Sequence, residues 1–267
     1  VSIAPYHWTM QRLEISGSQL EVRRIPGPEH ASPLVFLHEG LGSVAMWQSR
    51  DKDWPLSVCL ASGRAGWVYS RLGYGHSDPV PDVRGINRLG ADYMHLEAWQ
   101  VLPQLLQSLG VEKPVLIGHS DGGSIALLHA ARFAVAGAVV MAPHLFVEDI
   151  SLRSIEAAKH AFETGDLRSR LSRFHADVDC AFWRWNDIWL SPAFRSFNIQ
   201  KECLKIGAPV LALQGVDDIY GSLKHIEELH TLGKVRREVL QACGHSPHRD
   251  QHDLSLQLVV DFLKQLP

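Results

Sequence analysis

This chain of 267 residues has no membrane span, no disulfide scaffold and no strong charge of either sign. No run approaches the roughly 18 apolar residues that a spanning helix needs, so no membrane partner is expected. There are only four cysteines (Cys59, Cys180, Cys203, Cys243), far apart and without a C-x-x-C pair. That argues against a disulfide framework and reads as reduced, buried thiols in a cytoplasmic protein. A formal charge of −3 offers no electrostatic case for nucleic acid or an acidic membrane. The opening residues V-S-I-A-P-Y-H-W-T-M lack the charged-then-apolar plan of a signal peptide, and residues before Met10 are expected to be an added or processed segment. Repeats, low-complexity stretches and linkers are missing, so no independent second domain is expected. The loop Gly73-Tyr74-Gly75 with Ser77-Asp78 has no lysine and no helix directly after it, which excludes a phosphate cradle.

What is present centres on residues 114–124, P-V-L-I-G-H-S-D-G-G-S. The apolar run Val115-Leu116-Ile117 leads into Gly118-His119-Ser120-Asp121-Gly122, and a helical pattern follows from Ile125 to Arg132. Strand, sharp turn and helix with serine at the apex describe a nucleophile elbow. The flanking glycines relieve crowding where helix and strand approach. Such a turn exposes Ser120 Oγ and sets the Asp121 N–H at a helix N-terminus, beside any charge that develops there.

The remaining pattern alternates. Residues 11–25 read as a hairpin around Ser16-Gly17-Ser18, ended by Pro26-Gly27-Pro28. Short all-apolar strands are expected at 33–37, 66–70, 115–117, 138–141 and 210–213, with a final strand at 235–240. Helices are expected at 93–109, stopped by Gly110, and at 223–232 and 254–266. Continuous apolar strands alternating with helices imply an α/β protein with a mostly parallel, doubly wound sheet. An apolar fraction of 46% over this length suits one such domain with an insertion.

The insertion is residues 144–200, helical around 155–162, 167–174 and 178–190, between core segments 1–143 and 201–267. Phe174, Phe182, Trp183, Trp185, Trp189, Phe194 and Phe197 crowd its second half. Most such rings bury the segment against the core. A helical insertion after a central strand also sits over the carboxyl edge of the sheet, where ligands bind, so Trp183, Trp185 and Trp189 are candidate substrate contacts.

A serine hydroxyl needs a base, best a histidine, and the histidine needs a carboxylate to hold its tautomer. Both follow the elbow on strand-end loops: Asp217 or Asp218 in Q-G-V-D-D-I-Y-G, and His245 in A-C-G-H-S-P-H. With H-E-G-L-G-S at 38–43 and S-R-L-G-Y-G-H-S-D at 70–78, these motifs carry a resemblance over the chain from about Leu13 onward. It resembles the α/β-hydrolase fold family of helical-cap type, which includes carboxylesterases, enol-lactonases and carbon–carbon bond hydrolases. The motifs are specific for the fold and weakly specific for substrate.

In that family the acid usually stands three residues after the strand-ending glycine. The resemblance therefore points from Gly215 to Asp218 and leaves Asp217 a turn residue. It implies Ser120 as nucleophile, Asp218 and His245 as the other catalytic residues, and Asp121 with Gly40, or the neighbouring Leu41, as oxyanion donors. Glu39 stands where the family usually has glycine and is expected to point away from the pocket. His119 reads as packing against the turn, and is counted with the three tryptophans among residues flanking the substrate. The histidines at 245, 248 and 252, with Asp250 and Asp253, have a metal-like spacing. His245 is already committed to Ser120, so no metal and no cofactor is expected.

The expected function is ester hydrolysis through an acyl-enzyme on Ser120, acting on a small-molecule ester or acyl substrate; self-association into a homo-oligomer stays open. Hydrolysis of carbon–carbon bonds in ring-fission products is the alternative, with lactonase activity beside it. Those carbon–carbon hydrolases commonly carry Asn where this chain has His119. A non-enzymatic receptor of the same fold is the third reading.

Overall fold

A computed structural model describes residues 9–28, 31–49 and 52–267; the expectation about residues before Met10 falls mainly on residues outside that range. Eight strands form one sheet: β1 (Thr9–Ile15), β2 (Ser18–Ile25), β3 (Leu34–Leu37), β4 (Gly66–Tyr69), β5 (Val115–His119), β6 (Gly137–Met141), β7 (Val210–Gly215) and β8 (Val235–Leu240). Their order is β1-β2-β4-β3-β5-β6-β7-β8. The first two pairings are antiparallel and the remaining five parallel. The β1–β2 hairpin turns on Ser16 and Gly17, both at positive φ (53° and 79°), the geometry that matches strand twist.

The all-apolar strands are buried on both faces because side chains alternate between two layers. Val35, Leu37, Leu116 and Val140 pack toward the helices that follow β4 and β5 and toward the helical excursion. Leu34, Phe36, Ile117 and Val139 pack toward α1 (Trp54–Ser62) and the C-terminal helix. The sequence reading assigned no element to α1, although Asp53 caps it by accepting from Leu56 N–H at 3.1 Å and Pro55 opens it. The expected 93–109 helix is α2 (Tyr93–Leu96), a π-helical stretch (Glu97–Val101) and α3 (Leu102–Ser108). Pro103 has no N–H for the Trp99 carbonyl, which accounts for the irregular turn.

The elbow helix is α4 (Asp121–Ala130). Between β6 and β7 the chain is helical: α5 (Asp149–Thr164), α6 (Leu167–Leu171), α7 (Val178–Trp189) and the short α8 (Gln200–Cys203). Its ends meet where Phe146 bridges Asn198 and Ile199 N–H donates to the Leu145 carbonyl at 2.8 Å. The helix expected at 223–232 is one turn only, α9 (Lys224–Glu227). Arg237 Nε donates to the Ile226 carbonyl at 2.7 Å, taking an acceptor that a longer helix would have used, and Leu232 stands exposed. The chain closes with α10 (Pro247–Asp250) and α11 (His252–Leu263). Among the described residues no helix is long and apolar enough to cross a membrane.

Candidate active site

The turn after β5 is strained at its apex: Ser120 has φ 53° and ψ −120°. The glycines beside it are required by close approach. A Cβ at Gly118 would lie 2.2 Å from the Gly122 carbonyl oxygen, and one at Gly122 would lie 2.1 Å from that of Leu37. Ser120 N–H donates to the Met141 carbonyl at 2.8 Å, tying the apex to the neighbouring strand.

Three loops at the carboxyl edge of the sheet meet at Ser120. His245 Nε2 lies 2.9 Å from Ser120 Oγ, and its Nδ1 lies 2.8 Å from Asp218 Oδ2. The carboxylate can only accept, so Nδ1 carries the ring proton and Nε2 is free to accept from the serine hydroxyl. Asp218 is buried and itself held: Gln214 Nε2 donates to Oδ2 and Tyr220 N–H to Oδ1, each at 2.7 Å. Asp217 is exposed, with its N–H on the Cys243 carbonyl.

Asp121 opens α4, and its side chain turns into the core. Tyr93 Oη donates to Asp121 Oδ2 at 2.6 Å, with Arg71 at 3.7 Å. Burial raises the Asp121 carboxyl above its ordinary value, with Arg71 and the Tyr93 hydroxyl pulling against it. The loop opposite is pinned from below. His38 Nε2 accepts from Arg71 N–H at 3.0 Å and its Nδ1 donates to the Glu39 carbonyl at 2.7 Å. Burial and the neighbouring Arg71 push His38 well below the usual histidine value, which keeps it neutral for this role. Gly42 N–H closes a turn onto the Glu39 carbonyl at 3.0 Å. Gly40 lies so close to Trp185 that a Cβ there would stand 2.2 Å from the indole ring.

A cavity of about 130 Å³ opens over Ser120. Leu41, Ile155, Trp185, Trp189 and Tyr220 form its apolar wall; Glu39, His119, Asp121, His144 and His245 its polar side. Trp185 and Trp189, one helical turn apart on α7, thus face the cavity. Trp183 does not: it stacks under the Arg84 guanidinium at 3.8 Å and packs edge-on against Phe162 and Phe182. Glu39 also departs from expectation by lining the cavity wall. Burial would raise its carboxyl, but the neighbouring His119 and the positive charge of Arg249 bring it well below the usual range.

His119 does more than pack. Its Nε2 donates to the His245 carbonyl at 2.7 Å, and its Nδ1 lies 3.4 Å from Glu39 Oε2. The histidines of the metal-like spacing face different neighbours: His245 meets Ser120, His248 packs against Trp47 and His119, and His252 bonds Asp253. Among the described residues no group of three metal-ligating side chains converges.

The sequence reading missed His144, whose Nε2 lies 3.3 Å from Ser120 Oγ. It follows β6, the strand beside the elbow strand, and its place at that strand's carboxyl end was the signal available.

A family model described as "Alpha/beta hydrolase family" matches residues 34–256. The chain is 26% identical to a 2-hydroxy-6-oxo-6-phenylhexa-2,4-dienoate hydrolase of Comamonas testosteroni, with 76% of this chain and 84% of that protein covered. It is also 26% identical to a bifunctional esterase/perhydrolase of Acinetobacter calcoaceticus, over 72% of this chain and 76% of that one. Among solved structures it superposes on the carboxylesterase CesB of Bacillus subtilis with TM-score 0.69 and 22% identity, covering 97% of this chain and 92% of that one. At that identity the likeness speaks for the fold alone.

Proposed function

The chain belongs to the alpha/beta hydrolase family and is a hydrolase; from that premise we propose that it is a serine carboxylesterase acting through an acyl-enzyme on Ser120. The observation that carries this reading is the unbroken hydrogen-bonded line from Ser120 Oγ through His245 to Asp218. His245 takes the serine proton as Oγ attacks the ester carbonyl, and the Asp218 carboxylate stabilises the imidazolium. The N–H groups of Asp121 and of Gly40 or Leu41 hold the oxyanion, each donor worth about 3 kcal/mol in the transition state. His245 then protonates the departing alcohol. Water, deprotonated by the same imidazole, cleaves the acyl-enzyme.

The cavity supports short acyl groups. Its volume of about 130 Å³ is well below the ~300 Å³ at which pockets for drug-sized ligands begin, and its walls are apolar. The relationship to the Comamonas enzyme favours a second reading, cleavage of a carbon–carbon bond in a ring-fission product. Steady-state assays on p-nitrophenyl acetate and on a phenylhexadienoate ring-fission product, each with Ser120→Ala as control, separate the two. Ester turnover abolished by Ser120→Ala is the expected result. Wild-type ester turnover in Ser120→Ala would refute the assignment.

A further inference from the structure

Ser120 Oγ has two imidazoles beside it, His245 at 2.9 Å and His144 at 3.3 Å. Oγ has one proton, and His245 Nε2 is the site that accepts it, because Nδ1 of that ring is committed to Asp218. The contact with His144 is therefore a hydrogen bond only if His144 Nε2 carries the proton and points it at an Oγ lone pair. This leaves His144 Nδ1 as the bare nitrogen, and Nδ1 is buried without a hydrogen-bond partner. Burial, aided by the rings of His225 and His245, keeps His144 neutral by holding it well below the usual histidine value.

The ring is presented by an unusually constrained loop. Ala142 before it has φ 48°, a left-handed conformation that a residue with a Cβ adopts only under strain. Ser124, one turn past Ser120 on the elbow helix, clamps the His144 backbone on both sides. The His144 N–H donates to Ser124 Oγ at 2.9 Å, and that hydroxyl donates to the His144 carbonyl at 2.7 Å. The next amide, Leu145 N–H, donates to His225 Nδ1 at 3.1 Å, and His225 Nε2 lies 2.9 Å from Glu148. Trp189 backs the His144 ring edge-on, with centroids 4.8 Å apart. Side chains from α4, α7 and α9 thus fix an imidazole that the Ser–His–Asp line does not use.

We propose that His144 is a further catalytic residue, a neutral donor to Ser120 Oγ that favours release of the acyl group from the enzyme over its capture. The proposal rests on the acyl-enzyme reading above. The donor bonds the resting Ser120 hydroxyl as well as the transition state, so acylation, measured from the free enzyme, gains little from it. Deacylation starts from the acyl-enzyme, where Oγ is an ester oxygen and a weaker acceptor, so it gains more. His245 takes a proton from water, hydroxide adds to the acyl carbon, and the tetrahedral intermediate collapses by breaking the carbon–Oγ bond. The electron pair goes to Oγ, and His245 returns the proton to it. The His144 N–H faces the oxygen on which that charge accumulates and keeps its own proton throughout. The resting distance is slightly longer than the usual ~2.7–3.2 Å and shortens as Oγ becomes more negative.

The test is rapid mixing with p-nitrophenyl acetate, comparing wild type, His144→Phe and His144→Gln, with intact-protein mass spectra of each reaction. His144→Phe keeps the ring volume and removes the donor; His144→Gln returns an N–H near the same place. For His144→Phe the expected result is a stoichiometric burst of p-nitrophenol, an acetyl group accumulating on Ser120, and kcat about tenfold lower without a matching fall in kcat/KM. His144→Gln recovers most of kcat. The burst amplitude counts folded sites, so a misfolded fraction does not imitate the effect. If kcat and kcat/KM fall together, or neither falls, His144 has no selective part in deacylation. If neither wild type nor His144→Phe ever carries acetyl on Ser120, the acyl-enzyme reading fails and takes this inference with it. Labelled Ser120 with unaltered partitioning overturns this inference alone.

Discussion

His119 Nε2 donates to the carbonyl oxygen of His245 at 2.7 Å, so the residue immediately before Ser120 holds the loop that carries His245. Glu39 stands behind the same ring, 3.4 Å from Nδ1. His119→Phe keeps the ring and removes the donor. The expected outcome on p-nitrophenyl acetate is a kcat/KM about tenfold lower, the cost of a lost buried hydrogen bond that positions a catalytic group. His119→Gln, which retains an N–H, should recover part of the loss. Equal activity in wild type and His119→Phe would show that the His245 loop does not need this anchor.

The two adjacent aspartates should separate cleanly. Asp218 is buried and bonded to His245, Gln214 and the Tyr220 amide, whereas Asp217 is exposed. Asp218→Asn replaces the acceptor that sets the His245 tautomer and is expected to lower kcat by about 10⁴-fold. Asp217→Asn should leave kcat within a factor of about two, as surface substitutions usually do. The kinetics of the two variants, measured side by side, check the assignment of Asp218.

How much of this was legible beforehand follows from how local each feature is. The elbow was readable because Gly118 and Gly122 answer to contacts within a few residues and one neighbouring strand. Strands such as Leu34–Leu37 and Gly137–Met141 were readable because full burial leaves a continuous apolar run. His144 was not, because its meeting with Ser120 depends on β6 lying beside β5 and on the Ser124 clamp. The support of Asp121 by Tyr93 and Arg71 spans 28 and 50 residues, with no motif linking them. The tryptophans sort by helix period. Trp185 and Trp189 are four apart and share a face; Trp183, two residues before Trp185, falls on another.

Acid should weaken the loop that supports His144. Glu148 accepts from Ser222 N–H and Oγ at 2.8 Å each and lies 2.9 Å from His225 Nε2. The hydrogen bond from His225, opposed by burial and helped by Ser222, lowers the Glu148 carboxyl to about 2. A carboxyl depressed by folding from its ordinary value of about 4.3 stabilises the folded state above that pH. The contribution disappears as pH falls toward about 2. Glu148→Gln should therefore melt below wild type at pH 7, with the gap closing between about pH 4 and pH 2. Thermal melts across that range check it; a gap that does not depend on pH would assign the loss to packing instead.

Gly40 and Trp185 define how tightly the excursion seats on the loop that follows β3. Gly40 is not at positive φ, so space rather than backbone conformation opposes a side chain there. A Cβ would stand 2.2 Å from the indole of Trp185, a ring that is itself 7% exposed and held on α7. Either the loop or the helix must move in Gly40→Ala. With the Gly40 amide as a donor to the oxyanion, as proposed, displacing it is expected to cost about 10²–10³ in kcat. Because the Trp185 ring is the obstacle, Trp185→Ala in the same chain should recover much of that loss. Trp185→Ala alone removes a cavity wall and should shift preference among p-nitrophenyl esters from acetate toward longer acyl chains. Recovery in the double variant together with that shift would tie both effects to one contact. A Gly40→Ala variant that the second substitution does not rescue would mean the alanine acts on the loop by another route.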